Sequence, residues 1–233
     1  MATAAKFAVI VLTAPPPGLA QEAGGAYVKV DGREALLRSV ELFLNRDNVA
    51  QIQLAVAPED LAKAKERYGP HLSFSGVKLV SGGPRWMDQV VAAAPTVSAD
   101  ATHVVLHDAA RPIVPYTDVD ALLAAAAGHA AVGLSTPVRT TLVETDEGGN
   151  PMAFHLPQSY VHLLTPQAFD RATFEALAKT RVETHPSKVT LLKGSPLNVR
   201  VGGPGEAAIA KAFMALLPKP KLRAASPFEE AQW

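Results

Sequence analysis

Val104-Val105-Leu106-His107-Asp108-Ala109-Ala110-Arg111-Pro112 passes from branched apolar residues straight into an acid and, three places on, an arginine. The apolar part shows no polar alternation, the pattern of a strand covered on both faces in a parallel sheet. Residues 103–106 therefore read as a buried strand, and Asp108 and Arg111 stand just past its C-terminal end, where open α/β sheets bind ligands. A hard carboxylate oxygen at that place suits Mg²⁺, and a guanidinium beside it suits a phosphate or orients the carboxylate. A plain strand-end salt bridge has the same spacing, and from spacing alone the two readings are level.

Working outward, apolar runs alternate with helical patterns, as they do when crossover helices cover a parallel sheet. Residues 7–12 make the first strand, 34–45 a helix and 52–57 a second strand, one βαβ unit. A charged helix over 59–67, a strand over 77–80 and a helix over 86–94 follow. Thr117 with Asp120 predicts a capping box for an Ala-rich helix that Gly128 ends. The rhythm then changes: 141–145 and 152–156 flank the turn cluster Asp146-Glu147-Gly148-Gly149-Asn150-Pro151, which reads as a hairpin arm. A two-stranded ribbon is marginal in water by itself, so a second subunit is the simplest cover. A helix over 170–179, strands over 189–192 and 198–201 and a helix over 206–217 close the fold, leaving 218–233 as an untethered tail.

Composition excludes several classes. The 233 residues are 48% hydrophobic and 19% charged, enough for one well-cored domain over 1–217. There is no Cys, so thiolate metal sites, disulfides and a cysteine nucleophile are out, and a reducing cytoplasm fits. With 22 basic and 22 acidic residues, no global field draws the chain onto nucleic acid or anionic lipid, and any phosphate site must be local. No run approaches the roughly 20 apolar residues of a bilayer span. The stretch 7–12 is at the short limit for a secretory leader and is followed by Pro15, Pro16 and Pro17, so it reads better as a buried first strand. His103 and His107 share a strand face, yet no third ligand stands at a diagnostic metal spacing; Trp86 is read as packing, and Gly202 to Gly205 as a tight helix start.

The His107 to Pro112 wording closely resembles the signature of 2-C-methyl-D-erythritol 4-phosphate cytidylyltransferases and their relatives that use other polyol phosphates. Thr136-Pro137-Val138-Arg139-Thr140-Thr141 resembles that family's Pro-Val-x-Asp-Thr stretch, and Leu164-Thr165-Pro166-Gln167 its Thr-Pro-Gln motif. Gly82-Gly83 before a helix and Asn198-Val199-Arg200-Val201 are further landmarks, so the likeness spans roughly 7–217. It implies an α/β Rossmann-like nucleotidyltransferase fold of the glycosyltransferase-A kind, a mostly parallel sheet with a protruding β-hairpin arm over 141–156 that joins a homodimer. It also implies Mg-CTP and a polyol phosphate as substrates, with no nucleic-acid or membrane partner. By resemblance, Asp108 would hold Mg²⁺ and, with Arg111 and Arg200, form the catalytic set. Thr13, Ala14, Gly18, Gly82 and Gly83 would join Asp108 around the nucleotide, and Arg139, Thr140, Thr141 and Thr165 would face the polyol phosphate.

The chain departs from that pattern at the phosphate loop. Where the family has approximately Pro-Ala-Ala-Gly-x-Gly-x-Arg and a following Lys, this sequence reads Thr13-Ala14-Pro15-Pro16-Pro17-Gly18-Leu19, with Gly25 at the place of the Lys. Proline has no N–H, so three in a row remove donors from a phosphate nest. Downstream, Gln89 stands for the usual Ser, Trp86 for an Arg with Arg85 one place early, Thr140 for an Asp, and Pro157 for an Arg. Only Arg200 keeps the charge of the late Asp-Asn-x-Lys-x-Thr motif. Losing one preorganised donor to a developing charge typically costs about 10²- to 10³-fold in rate. The expectation is a kept fold with a degraded or rebuilt triphosphate site. Three functions follow: a working cytidylyltransferase; a noncatalytic relative that binds a partner or a nucleotide; or an enzyme for another substrate, with a new cation set built from Lys29, Arg85 and Arg139.

Overall fold

Six consecutive apolar residues without alternation can be stable in water only if layers cover both their faces. That is the setting of β1 (Phe7–Leu12), every residue of which is buried in the computed structural model, which describes residues 5–19 and 24–218. A small ribbon, β2 (Lys29–Val30) and β3 (Arg33–Glu34), leads into α1 (Ala35–Glu41). Then come β4 (Val49–Val56), α2 (Leu61–Phe74), β5 (Lys78–Ser81), α3 (Trp86–Ala93), β6 (His103–Asp108) and α4 (Tyr116–Ala126). After β7 (Ala131–Pro137), the arm strands β8 (Leu142–Thr145) and β9 (Pro151–His155) protrude before the chain returns as β10 (Val161–Asp170). It ends with α5 (Arg171–Thr180), β11 (Val189–Lys193) and α6 (Pro204–Met214).

Seven strands form one sheet in the order β11-β7-β10-β6-β1-β4-β5. All its pairings are parallel except those of β10, which runs antiparallel to both β6 and β7. As the two apolar runs predict, β1 lies beside β6 in parallel register, Leu12 opposite Asp108. One face packs Val9, Val11, Leu54 and Val105 against α1, α2 and α4; the other packs Ile10, Ala55 and Leu106 against α3 and α5. A smaller cluster of Val30, Ala35, Ile113, Val201 and Ala210 seats α6. No helix among the described residues is long and apolar enough to cross a membrane.

Several expected elements change, each for a local reason. The helical pattern over 34–45 unwinds after Glu41 into turns, ending in Asn45 at φ 58. The charged helix runs on through Pro70 to Phe74, because Ala64, Tyr68 and Leu72 hold one buried face. No capping box forms: α4 starts after Pro115, without a side-chain cap. Instead Asp118 accepts the Ser195 amide at 2.7 Å, tying the late loop to this helix. Residues 198–201 are not a strand, since Arg111 and Asp108 take up their backbone and side chains, as described below. Conversely β7 and β10 carried no clear apolar period, yet they sit in the sheet beside β6. The arm lies where expected, with Val143, Met152, Phe154 and Leu156 exposed along it. Of the tail over 218–233, all but its first residue lies outside the described residues.

Because β1 is central and covered on both faces, Ile10→Ala should lower unfolding free energy by about 2–5 kcal/mol in urea titration, whereas Phe74→Ser should change it by less than about 0.5 kcal/mol. Phe74 is 94% exposed at the end of α2. Comparable losses for the two would refute the layer assignment.

Candidate active site

Asp108 is the last residue of β6 and its side chain has no exposed surface. Burial pushes its carboxyl above the usual range, opposed by Arg200, the Ala110 amide and Arg111. Its Oδ2 accepts from Arg200 Nε at 2.8 Å and its Oδ1 from the Ala110 N–H at 2.9 Å. Arg111 Nε stands 4.0 Å from the same Oδ2 and has no hydrogen-bond partner. Arg111 is held from its other end by Nη1 donation to the Asn198 carbonyl at 2.8 Å, and the Asn198 side-chain amide donates to Thr165 O at 2.8 Å.

The backbone is shaped to the same end. The β7–β10 register slips between Leu164 and Gln167, at the cis Thr165-Pro166 bond. Such an irregularity re-aims a side chain out of the ladder. Here it brings Thr165 Oγ1 to the Asp108 N–H, 3.1 Å away. On the other face, His107 is wholly buried, edge-on to Phe43, and its Nε2 bonds the Arg111 carbonyl at 3.1 Å. Burial lowers its pKa to about 3, so it is the neutral ring with the proton on Nε2 that fixes the Arg111 backbone. It is a structural histidine and not part of a metal pair with His103, which packs on Phe7 and Thr102.

Two clefts open on the arginines that flank this carboxylate, which itself lines neither. One, of about 430 Å³, opens between Thr13, Ala14, the Gly24-Gly25 turn, Tyr27, Gln89 and Arg200. The other, of about 670 Å³, is lined by Arg111, Arg139, Thr140, His162, Thr165 and Asn198. Thus Arg200 faces one cleft and Arg111 the other, and Asp108 lies between the two guanidinium groups. In the first cleft the Tyr27 hydroxyl donates to Asp60 at 3.0 Å, and burial raises its pKa further.

The expected residues divide accordingly. Thr13 and Ala14 line the first cleft, and Arg139, Thr140 and Thr165 the second. Thr141 is exposed at the root of the arm and lines neither. Gly18, at φ 81, borders a third cavity outside both. Gly82 and Gly83 do not line the first cleft either; they are glycine because α3 presses on them. A Cβ on Gly82 would lie 2.7 Å from Gln89 Cα, and one on Gly83 2.6 Å from Asp88 Cβ. Lys29, Arg85 and Arg139 do not converge: Lys29 is exposed on β2, Arg85 pairs with Asp88, and Arg139 lines the second cleft. Asn198, Gln89, Tyr27 and Asp60 are site residues that spacing alone did not mark.

The proline loop offers few amides. Thr13 N–H goes to Ala55 O, Ala14 N–H to Gln89 Oε1 at 3.1 Å and Leu19 N–H to Pro16 O, while Pro15 to Pro17 have none. Gln89 also donates to Thr13 Oγ1, so a buried glutamine fills the space behind the loop.

The sequence matches the family model for 2-C-methyl-D-erythritol 4-phosphate cytidylyltransferase over residues 8–215. The chain belongs to this family. It is 31% identical over 240 residues to the 2-C-methyl-D-erythritol 4-phosphate cytidylyltransferase of Rhodopirellula baltica, covering 92% of this chain and 97% of that one. It is 30% identical over 207 residues to the Vibrio parahaemolyticus cytidylyltransferase, covering 81% and 86%. Among solved structures, it resembles the 4-diphosphocytidyl-2C-methyl-D-erythritol synthase of Anaerococcus prevotii with a TM-score of 0.74 at 17% identity, over 91% of this chain and 97% of that one. The Thermus thermophilus cytidylyltransferase matches with a TM-score of 0.68 at 22% identity, over 88% and 98%. These likenesses show the Rossmann-like nucleotidyltransferase fold expected from the sequence.

Nucleotidyl transfer is a reaction class whose triphosphate substrate usually carries a divalent cation. Asp108 as folded does not fit a metal ligand: it has no exposed oxygen, both oxygens already accept hydrogen bonds, and two guanidinium groups converge on it. Among the described residues no group of three or more His, Asp or Glu side chains is placed to hold an ion.

A histidine kept neutral by burial stabilises the fold most above its unfolded pKa of 6.5, and that contribution is lost as pH falls toward its folded value of about 3. Within that window wild-type stability should fall with an extra slope of up to ~1.4 kcal/mol per pH unit relative to His107→Gln, measured by urea unfolding at several pH values. Parallel profiles for the two proteins would show that His107 does not carry the slope.

Proposed function

We propose that this chain transfers CMP from CTP to 2-C-methyl-D-erythritol 4-phosphate and releases pyrophosphate, in keeping with the cytidylyltransferase names of its relatives. The observation that carries this reading is one buried carboxylate that holds two guanidinium groups, each lining a different cleft. CTP occupies the Arg200 cleft and the polyol phosphate the Arg111 cleft. An oxygen of the polyol phosphate attacks the α-phosphorus of CTP. A new oxygen–phosphorus bond forms while the bond to the oxygen bridging toward the β-phosphorus breaks, and pyrophosphate leaves with that electron pair.

Such a transfer depends almost entirely on positioning and charge stabilisation. Asp108 holds Arg200 in place, Arg200 faces the triphosphate, and Arg111 with Arg139 and Thr140 faces the polyol phosphate. Thr165 fixes the Asp108 backbone and Asn198 the Arg111 side chain. Mg²⁺ is assigned to the CTP phosphates themselves, where it would neutralise charge, and no step is assigned to it on this chain. Residues 1–217 act as one unit in a reducing cytoplasm. The arm over 141–156 joins two copies, because Val143, Met152, Phe154 and Leu156 need a cover.

A second reading has its own support. With the Thr13 and Ala14 amides taken internally and Pro15 to Pro17 lacking theirs, the loop has little with which to cradle a triphosphate. On that reading the chain binds a nucleotide without turning it over.

Purified protein with CTP, Mg²⁺ and 2-C-methyl-D-erythritol 4-phosphate should release pyrophosphate, and Asp108→Asn should reduce kcat by about 10²-fold or more. Saturable CTP binding with no pyrophosphate would favour the second reading. Deletion of residues 143–154 should convert a dimer to monomers by light scattering; an unchanged mass would refute the arm assignment.

A further inference from the structure

We propose that the turn Pro16–Leu19 belongs to the acceptor side of the site, where it forms an apolar wall of the second cleft and selects, among polyol phosphates, those that carry an alkyl branch. The inference rests on the reading of that cleft as the polyol-phosphate site. Of the loop that follows β1, Thr13, Ala14 and Pro15 line the first cleft, whereas Pro16, Pro17 and Leu19 line the second.

The turn is set by its own sequence. Leu19 N–H donates to Pro16 O at 3.2 Å, and Pro17 and Gly18 take the two central positions, Gly18 at φ 81. A proline followed by a glycine of positive φ is the pairing a type II turn takes, and it holds its shape without a ligand. Behind it Gln89 pins Ala14 and Thr13, so the wall stands in place beforehand. Leu19 is a large aliphatic side chain left 48% exposed, and Val161 and Leu163, half-exposed on β10, line the same cleft. Arg111, Arg139 and Thr140 line it too, so it offers charge and a hydroxyl to a phosphate and apolar surface to a carbon chain. A polyol hydroxylated at every carbon would lose water from its hydroxyls against such a wall, whereas an alkyl branch gains by leaving water. The same turn borders the third cavity, but there Arg85 and Arg181 both donate to Asp88, and no hydroxyl side chain lines it among the described residues.

The test compares 2-C-methyl-D-erythritol 4-phosphate with D-erythritol 4-phosphate, which lacks only the branch, by pyrophosphate release with CTP and Mg²⁺. Calorimetric binding of the two acceptors makes the same comparison where turnover is too slow to follow. The wild type should favour the branched acceptor by about tenfold or more. Leu19→Ser, at a half-exposed position and checked for folding by circular dichroism, should bring that preference within about threefold by raising KM (or Kd) for the branched acceptor, with that for CTP unchanged. Leu19→Met, which keeps an apolar side chain, should retain the preference. No preference in the wild type, a preference that Leu19→Ser leaves in place, or an effect of Leu19→Ser on CTP alone would overturn the proposal. Arg139→Ala separates it from the reading beneath it, since loss of a phosphate partner should weaken both acceptors alike. If Arg139→Ala does so while Leu19→Ser leaves the preference intact, the turn assignment fails and the acceptor cleft stands. If Arg139→Ala affects neither acceptor, or neither is bound or used, the acceptor cleft fails and the proposal with it.

Discussion

A carboxylate with no exposed surface, at the end of a central strand, has to be neutralised and hydrogen-bonded within the protein, and that requirement at Asp108 organises this end of the molecule. Removing one partner of a buried pair typically costs about 3–5 kcal/mol, because the remaining charge stays buried without compensation. The chain accordingly delivers partners from distant segments: Arg200 from the loop before α6, Ala110 and Arg111 from the turn after β6, and Thr165 from the irregularity in β10. Each segment gives up regular structure to do so. The backbone of 198–201 forms turn bonds at Asn198 and Val199 and joins Ala110 O through Val201 N–H, instead of extending the sheet.

The same constraint explains why the site is two clefts and not one. Arg111 is anchored to Asn198, which is anchored to Thr165, so that guanidinium cannot follow Arg200 into the first cleft. His107 adds a second restraint by holding the Arg111 carbonyl from the opposite face of the sheet with a ring too deeply buried to ionise. Two guanidinium groups are thereby placed about one carboxylate, Arg111 lining one cleft and Arg200 the other.

Much of this was legible in the sequence wherever a pattern is set by local physics. Unbroken apolar runs marked β1 and β6 and their adjacency, and the acid and arginine after β6 marked the ligand-binding edge. The turn cluster at 146–151 marked the arm. What escaped was fixed by tertiary contact. β7 contains Gly133, and β10 contains Thr165-Pro166, so neither shows the run or alternation of an ordinary strand, though both are strands beside β6. Arg200 could be placed near a phosphate only by likeness; its bond to Asp108 spans 92 positions and leaves no local signal. Gly82 and Gly83 show the converse: a glycine pair before a helix suggests a phosphate cradle, but here it is required by the approach of Gln89 and Asp88.

The proline loop and Gln89 belong to one substitution in physical terms. A loop that cradles phosphate must leave its amides pointing outward, and a loop whose amides are missing or turned inward needs an internal acceptor to satisfy those that remain. Gln89 is that acceptor: its Oε1 takes the Ala14 N–H and its Nε2 donates to Thr13 Oγ1, which in turn donates to Ala55 O. A smaller residue at 89 would leave the Ala14 amide without this partner, and a phosphate nest would need that amide turned outward. The triprolyl run and the glutamine thus stabilise each other in a closed arrangement. Among the described residues Arg200 is the one basic side chain lining this cleft, and its Nε donates to the buried Asp108. The closed loop and the Tyr27–Asp60 pair thus shape the same cleft from two sides, Tyr27 donating its hydroxyl to Asp60.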